Sequence, residues 1–129
     1  MKNIGYYIGF ALWYLVSLLP LRVLYWISDL LYYLLYYVVR YRKRVVYSNL
    51  ESSFPEKSPK EIEKIAKEFY AFFCDYIVET IKLFSISEKE MRRRMRVEGL
   101  DELNKDFASG RSVSVYLGHY CNWEWISSL

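Results

Sequence analysis

Between Ile4 and Val39 the only charged side chains are Arg22 and Asp29, and Leu, Tyr, Ile and Val fill most of the rest. A helix that is apolar all round has to be covered, either by protein or by lipid. From Arg40 onward the chain alternates charged and apolar residues like an ordinary soluble protein, so its 53% hydrophobic and 26% charged content averages two unlike halves. Pro20 divides the apolar run. Ile4 to Leu19 makes about 24 Å of helix at about 1.5 Å per residue, short of a hydrocarbon core about 30 Å thick. Leu21 to Val39 carries Arg22 and Asp29 two turns apart on one face. A charge inside a membrane is costly, so this second helix is expected at the interface or against protein. Ten of the 14 tyrosines fall between Tyr6 and Tyr47, which suits a belt of amphipathic rings at headgroup level. Residues 1–39 are therefore expected to anchor the chain to a membrane. The competing reading is a water-soluble helical hairpin that pairs with a partner.

At 129 residues the chain is long enough for one modest domain. The net charge of +3 is small, but its placement is informative. Arg40, Arg42, Lys43 and Arg44 follow the apolar run directly, which marks the cytoplasmic side of a membrane. Arg92, Arg93, Arg94 and Arg96 form a second cluster, read either as a solvated helix face or as a docking patch for anions. Cys74 and Cys121 lie far apart with no framework spacing, so no disulfide is expected and a reducing compartment fits. The apolar run is too long for a signal peptide, and no small-residue cleavage pattern follows it.

After the first basic cluster comes a polar connector, "SNLESSFPEKSPKE". Ser58, Pro59 and Glu61 make a capping box with proline at the first helical position. Ile62, Ile65, Ala66, Phe69, Phe72, Phe73, Tyr76 and Ile77 follow at helical spacing, which predicts a core-packing helix to about Leu83. Ser87 with Glu90 starts a short basic helix. "MRVEGL" reads as a strand, "LDELNKDFASG" as a helix ended by Gly110, and "SVSVYL" as a second strand. Strand, helix and strand suggest the first βαβ unit of an α/β domain. The expected fold class is α/β and membrane-anchored. Residues 1–39 would be the anchor, 40–57 a basic cytoplasmic connector, and 58–129 the start of a catalytic domain.

His119, the only histidine, stands at the carboxyl end of the second strand-like run, with Glu124 five residues on. On a continuous helix those two side chains would point about 140° apart. If the chain turns between them, the carboxylate can hold one ring nitrogen and leave the other to take a proton. Three rivals stand beside this acid–base pair. The histidine can be structural. A metal site lacks ligands, with one histidine and no paired cysteines. Cys121 can be a nucleophile, although nothing around it lowers a thiol pKa.

"GHYCNWEW" resembles the H-x-x-x-x-D/E block of the lysophospholipid acyltransferase superfamily. More narrowly it resembles the H-x-x-N-W-E form of the bacterial lipid A biosynthesis acyltransferases. "LLPLRVLYWISDLL" is similar to that family's N-terminal membrane region. Arg44, Asn49, Leu50, Phe54, Pro55 and Glu56 resemble its connector, Glu79 falls where the family has a helical glutamate, and "VEGLDEL" matches the stretch before the catalytic block. The resemblance implies transfer of an acyl group from acyl carrier protein to a hydroxyl of a membrane glycolipid. It implies no cofactor and no nucleic-acid partner, and a site on the cytoplasmic side of a bacterial inner membrane. His119 would be the general base and Glu124 its orienting partner, with Asn122 and Trp123 supporting the motif. Arg92, Arg93, Arg94 and Arg96 would meet acidic carrier protein or lipid phosphates.

The family's catalytic domain runs on well past this block, so a fragment of a longer enzyme is expected, inactive alone and active when extended. Two other functions fit less of the sequence. One is acyl transfer to a glycerophospholipid or an amino-acid lipid. The other is a non-catalytic membrane-anchored module with a structural His119.

Overall fold

The structure, a computed structural model, describes residues 4–128. Pro20 acts as expected: α1 (Ile4–Ser17) ends just before it and α2 (Leu21–Tyr33) begins just after, prolonged by a π-helical turn over Leu34–Val38. The two helical arms meet at a bend of 116°. A proline offers no N–H to the preceding turn and clashes with its carbonyl, which is why the run breaks there. Among the described residues no single helix is long and apolar enough to cross a membrane, and the bent pair reaches the required length only together.

The spine is α4 (Pro59–Lys82), 24 residues and about 36 Å long. It opens on the capping box: Ser58 N–H donates to Glu61 Oε2 at 2.8 Å, and Glu61 N–H donates to Ser58 Oγ at 3.4 Å. Its buried line is Ile62, Ala66, Tyr70, Cys74 and Val78. The wider stripe read from the sequence is thereby narrowed, since Phe69 and Phe72 are exposed. Residues at four-residue spacing overshoot each turn by about 40°, so the buried line winds and meets different neighbours along its length. Against it α2 runs antiparallel. Tyr25 OH donates to Glu79 Oε1 at 2.5 Å, Ser28 Oγ to Asp75 Oδ1 at 2.7 Å, and the rings of Tyr36 and Tyr70 meet edge to face at 5.4 Å.

The apolar core gathers Leu21, Leu24 and Val78, with Val16, Leu19 and Tyr25 packed against them. Lys82 Nζ donates to the carbonyls of Ser17 at 2.7 Å and Leu19 at 3.0 Å, and Ser85 Oγ to that of Ser17 at 2.5 Å. These donors fill carbonyls that the end of α1 leaves without intrahelical partners, and the ammonium suits the negative pole of the helix.

Where the sequence suggested a polar connector, α3 (Lys43–Ser53) forms instead. It follows a turn in which Arg40 and Arg42 both take left-handed backbone, φ 54° and 47°. Lys43 Nζ sits 3.8 Å above the Tyr36 ring, the hydroxyls of Tyr36 and Tyr47 lie 2.9 Å apart, and Tyr70 OH donates to the Tyr41 carbonyl. The first basic cluster is thus partly tied into an aromatic layer by a cation–π contact.

The α/β expectation is overturned. Among the described residues every regular element is helical and no strand forms. The helices predicted around the strands do appear, as α5 (Glu88–Arg94) and α6 (Leu100–Ala108), with Gly110 at φ 74° closing the second. The βαβ unit does not. Residues 95–97 and 111–118 take no regular secondary structure and form no ladder. Alternation in "SVSVYL" specifies which faces a strand would show, whereas a strand exists only through hydrogen bonds to a neighbour, and Tyr116 stands 94% exposed.

Packing separates the two cysteines. Cys74 is fully buried on α4, and burial pushes its thiol up to about 11, while Cys121 is exposed. A maleimide at neutral pH is expected to label Cys121 quickly and Cys74 only in denaturant. Equal labelling rates in the native protein would contradict the packing of α4.

Candidate active site

The chain turns within the motif Gly118–Trp125. Cys121 takes left-handed backbone at φ 51°, and Trp125 N–H bonds the Asn122 carbonyl at 3.0 Å as the 3₁₀ turn Trp123–Ser128 begins. Left-handed backbone at a non-glycine residue costs of order 1–2 kcal/mol, so the reversal has to be held from outside. Two side chains of α4 hold it. Asn122 Nδ2 donates to Glu79 Oε2, while the other Glu79 oxygen receives the Tyr25 hydroxyl at 2.5 Å. One carboxylate therefore joins α2, α4 and the motif. Three residues earlier on α4, Tyr76 OH donates to Glu124 Oε1, and this bond raises the Tyr76 phenol above its usual range.

His119 is exposed, with its ring edge-on to Trp123 at 4.4 Å between centroids. The four motif residues read from the sequence thus receive separate tasks. Asn122 ties the turn to Glu79, Trp123 supports the imidazole ring, Glu124 is anchored on Tyr76, and His119 faces outward. Tyr25 and Tyr76 were not legible as site residues. Tyr76 lies three residues from Glu79 on the same helical face, and in sequence it reads as one more aromatic of the apolar stripe.

The second arginine cluster divides. Arg92 Nε pairs with Glu88 Oε1 at 2.9 Å and Arg94 Nε with Glu90 Oε1 at 2.7 Å. The hydrogen bond from Arg94 is also the leading reason that Glu90 titrates below the usual carboxylate range. These are exposed one-turn pairs, worth a few tenths of a kcal/mol. Arg94 also lines a cavity of about 250 Å³ beside the motif, together with Tyr25, Glu79, Met95, Asn122 and Trp125. Arg92, Arg93 and Arg96 instead border a separate hollow with Val97 and Leu100. Among the described residues no group of three or more His, Cys, Asp or Glu could hold a metal ion.

The family described as bacterial lipid A biosynthesis acyltransferase matches this chain over residues 1–128. A lipid A biosynthesis palmitoleoyltransferase of Escherichia coli (strain K12) is 31% identical over 83 residues, 64% of this chain and 27% of the relative. A lipid A biosynthesis acyltransferase of Shigella flexneri matches with the same identity and coverage. The matched stretch thus spans about a quarter of each relative's length. No solved structure matches the chain. With the motif, its anchors and the family match over nearly every residue, the chain belongs to the bacterial lipid A biosynthesis acyltransferase family.

Proposed function

We propose that this chain supplies the membrane-facing helices and the acid–base motif of an O-acyltransferase. It would move a fatty acyl group from an acyl carrier protein thioester to a hydroxyl of a lipid A-type glycolipid. The observation that carries this reading is the family match across residues 1–128, with His119 and Glu124 in their motif and the carboxylate anchored on α4. His119 takes the proton of the acceptor hydroxyl, and the oxygen attacks the thioester carbonyl. Collapse of the tetrahedral intermediate breaks the C–S bond, and the departing thiolate receives the proton from the imidazolium. Glu124 orients the ring and stabilises its cation. Arg92, Arg93 and Arg96 offer a positive face to an acidic carrier protein. The test is an assay of a form extended past residue 129, with labelled acyl-carrier thioester and a glycolipid acceptor. Label should pass to the glycolipid, and a preparation that acylates an acceptor lacking the hydroxyl equally well would sink the reading.

The surface of the bent pair supports a place on the inner face of a bacterial inner membrane. Nearly every apolar side chain of α1 is exposed, and on α2 and the π-helical turn that prolongs it Trp26, Leu30, Tyr33 and Tyr37 form an exposed stripe opposite the face packed on α4. Trp26 and Leu30 are 71% and 69% exposed, and burying side chains of this size in lipid is worth about 1.5–3 kcal/mol each. The double change Trp26→Glu with Leu30→Glu is therefore expected to weaken binding to phosphatidylglycerol vesicles about a hundredfold or more. Sedimentation with vesicles reads this directly, and unchanged binding would remove α2 from the membrane surface.

A further inference from the structure

Two buried polar atoms beside the motif have no hydrogen-bond partner among the described residues: Trp125 Nε1, a donor, and Asn122 Oδ1, an acceptor. Trp125 is only 5% exposed. Buried polar groups without partners are uncommon in folded proteins, and each calls for a reason. Here both belong to side chains that line one cavity, the 250 Å³ space shared with Tyr25, Glu79, Arg94 and Met95. Its charged walls offset one another. Glu79 spends its oxygens on Tyr25 and Asn122, while Arg94 is braced by Glu90. An ionic ligand of either sign would meet a like charge there. A hydroxyl would not, and a single hydroxyl accepts one hydrogen bond while donating another. The Tyr25 and Trp125 rings and the Met95 thioether add apolar walls suited to the C–H faces of a sugar or glycerol.

We infer that this cavity binds an uncharged polyol headgroup, with one hydroxyl accepting from Trp125 Nε1 and donating to Asn122 Oδ1. The inference rests on the acyl-transfer reading only in taking that polyol as the headgroup of the acceptor lipid. The experiment uses the ¹⁵N-labelled chain in dodecylphosphocholine micelles, which carry no hydroxyl, and follows the indole N–H signals. The Trp125 signal is assigned through Trp125→Phe. Added n-octyl β-glucoside should move that signal downfield to saturation and leave those of Trp13 and Trp26 in place. Asn122→Ala should weaken the effect at least tenfold. In Trp125→Phe, saturation transfer from protein to glucoside protons should fall in the same way while the backbone amide spectrum stays folded.

Methyl β-glucoside separates the sources. An equal shift assigns the site to the free headgroup, and a shift with octyl glucoside alone assigns it to a lipid-linked one; both support the inference. Three results overturn it: no saturable shift, an equal shift with octyl phosphocholine, or a shift indifferent to Asn122→Ala. Water alone would then fill the cavity. Because binding is read without turnover, its failure leaves the acyl-transfer reading standing. Loss of transfer in His119→Ala would in turn leave the binding untouched.

Discussion

In a form of the enzyme extended past residue 129, replacing His119 by alanine is expected to lower the proposed acyl transfer about a hundred- to ten-thousand-fold, the usual contribution of a positioned general base. Stability should change by less than about 0.5 kcal/mol, as for surface positions generally, because the ring is exposed and its described contact is with Trp123. The split between the two readouts is what matters. A structural histidine would move stability and rate together, whereas a base moves rate alone. Glu124→Gln refines the test. The amide keeps an oxygen for the Tyr76 hydroxyl but loses the charge that steadies an imidazolium, so an intermediate loss of rate is expected with the turn intact. An unchanged rate in both variants, measured with a carrier thioester and a glycolipid acceptor, would return the motif to a structural role.

What the sequence made legible was local. The break at Pro20, the cap at Ser58 and the stop at Gly110 depend on residues within one turn, and each appears in the structure. The βαβ unit failed because strand pairing is decided elsewhere in the chain, and an alternating pattern carries no information about whether a partner is present. The breadth of the α4 stripe was misjudged for a related reason. Phe69 and Phe72 have the spacing of core residues, but only the layout of α2 and α3 settles which of them is covered. Helix α3 was hidden by its basic start and its serines, and it is held by Tyr47 and Lys43 against an aromatic layer built from three separate segments. In the site, His119, Asn122, Trp123 and Glu124 could be named from their motif. Their anchors could not, because Tyr76 reaches Glu124 across 48 residues and Tyr25 reaches Glu79 across 54.

Those long-range anchors converge on Glu79, so Glu79→Ala is expected to be a severe substitution outside the motif. It leaves the Tyr25 hydroxyl and the Asn122 amide without acceptors in a partly buried setting. At about 1–3 kcal/mol for each orphaned group the loss is roughly 2–6 kcal/mol, with solvent access favouring the lower half. Both the docking of α2 on α4 and the reversal at Cys121 should suffer. Hydrogen exchange across residues 119–126 should therefore quicken, and acyl transfer should fall although His119 is untouched. Tyr25→Phe and Asn122→Ala each remove one leg, and their separate costs should sum to about that of Glu79→Ala if the carboxylate acts as a bridge. Glu79→Gln offers the conservative comparison. Its amide oxygen can accept from Asn122 and its NH₂ can donate to the Tyr25 oxygen, so the bridge survives without the charge and the cost should stay within about 1 kcal/mol. Denaturant unfolding that placed Glu79→Ala level with the native chain would mean that the motif is held by Tyr76 and the burial of Trp125 alone.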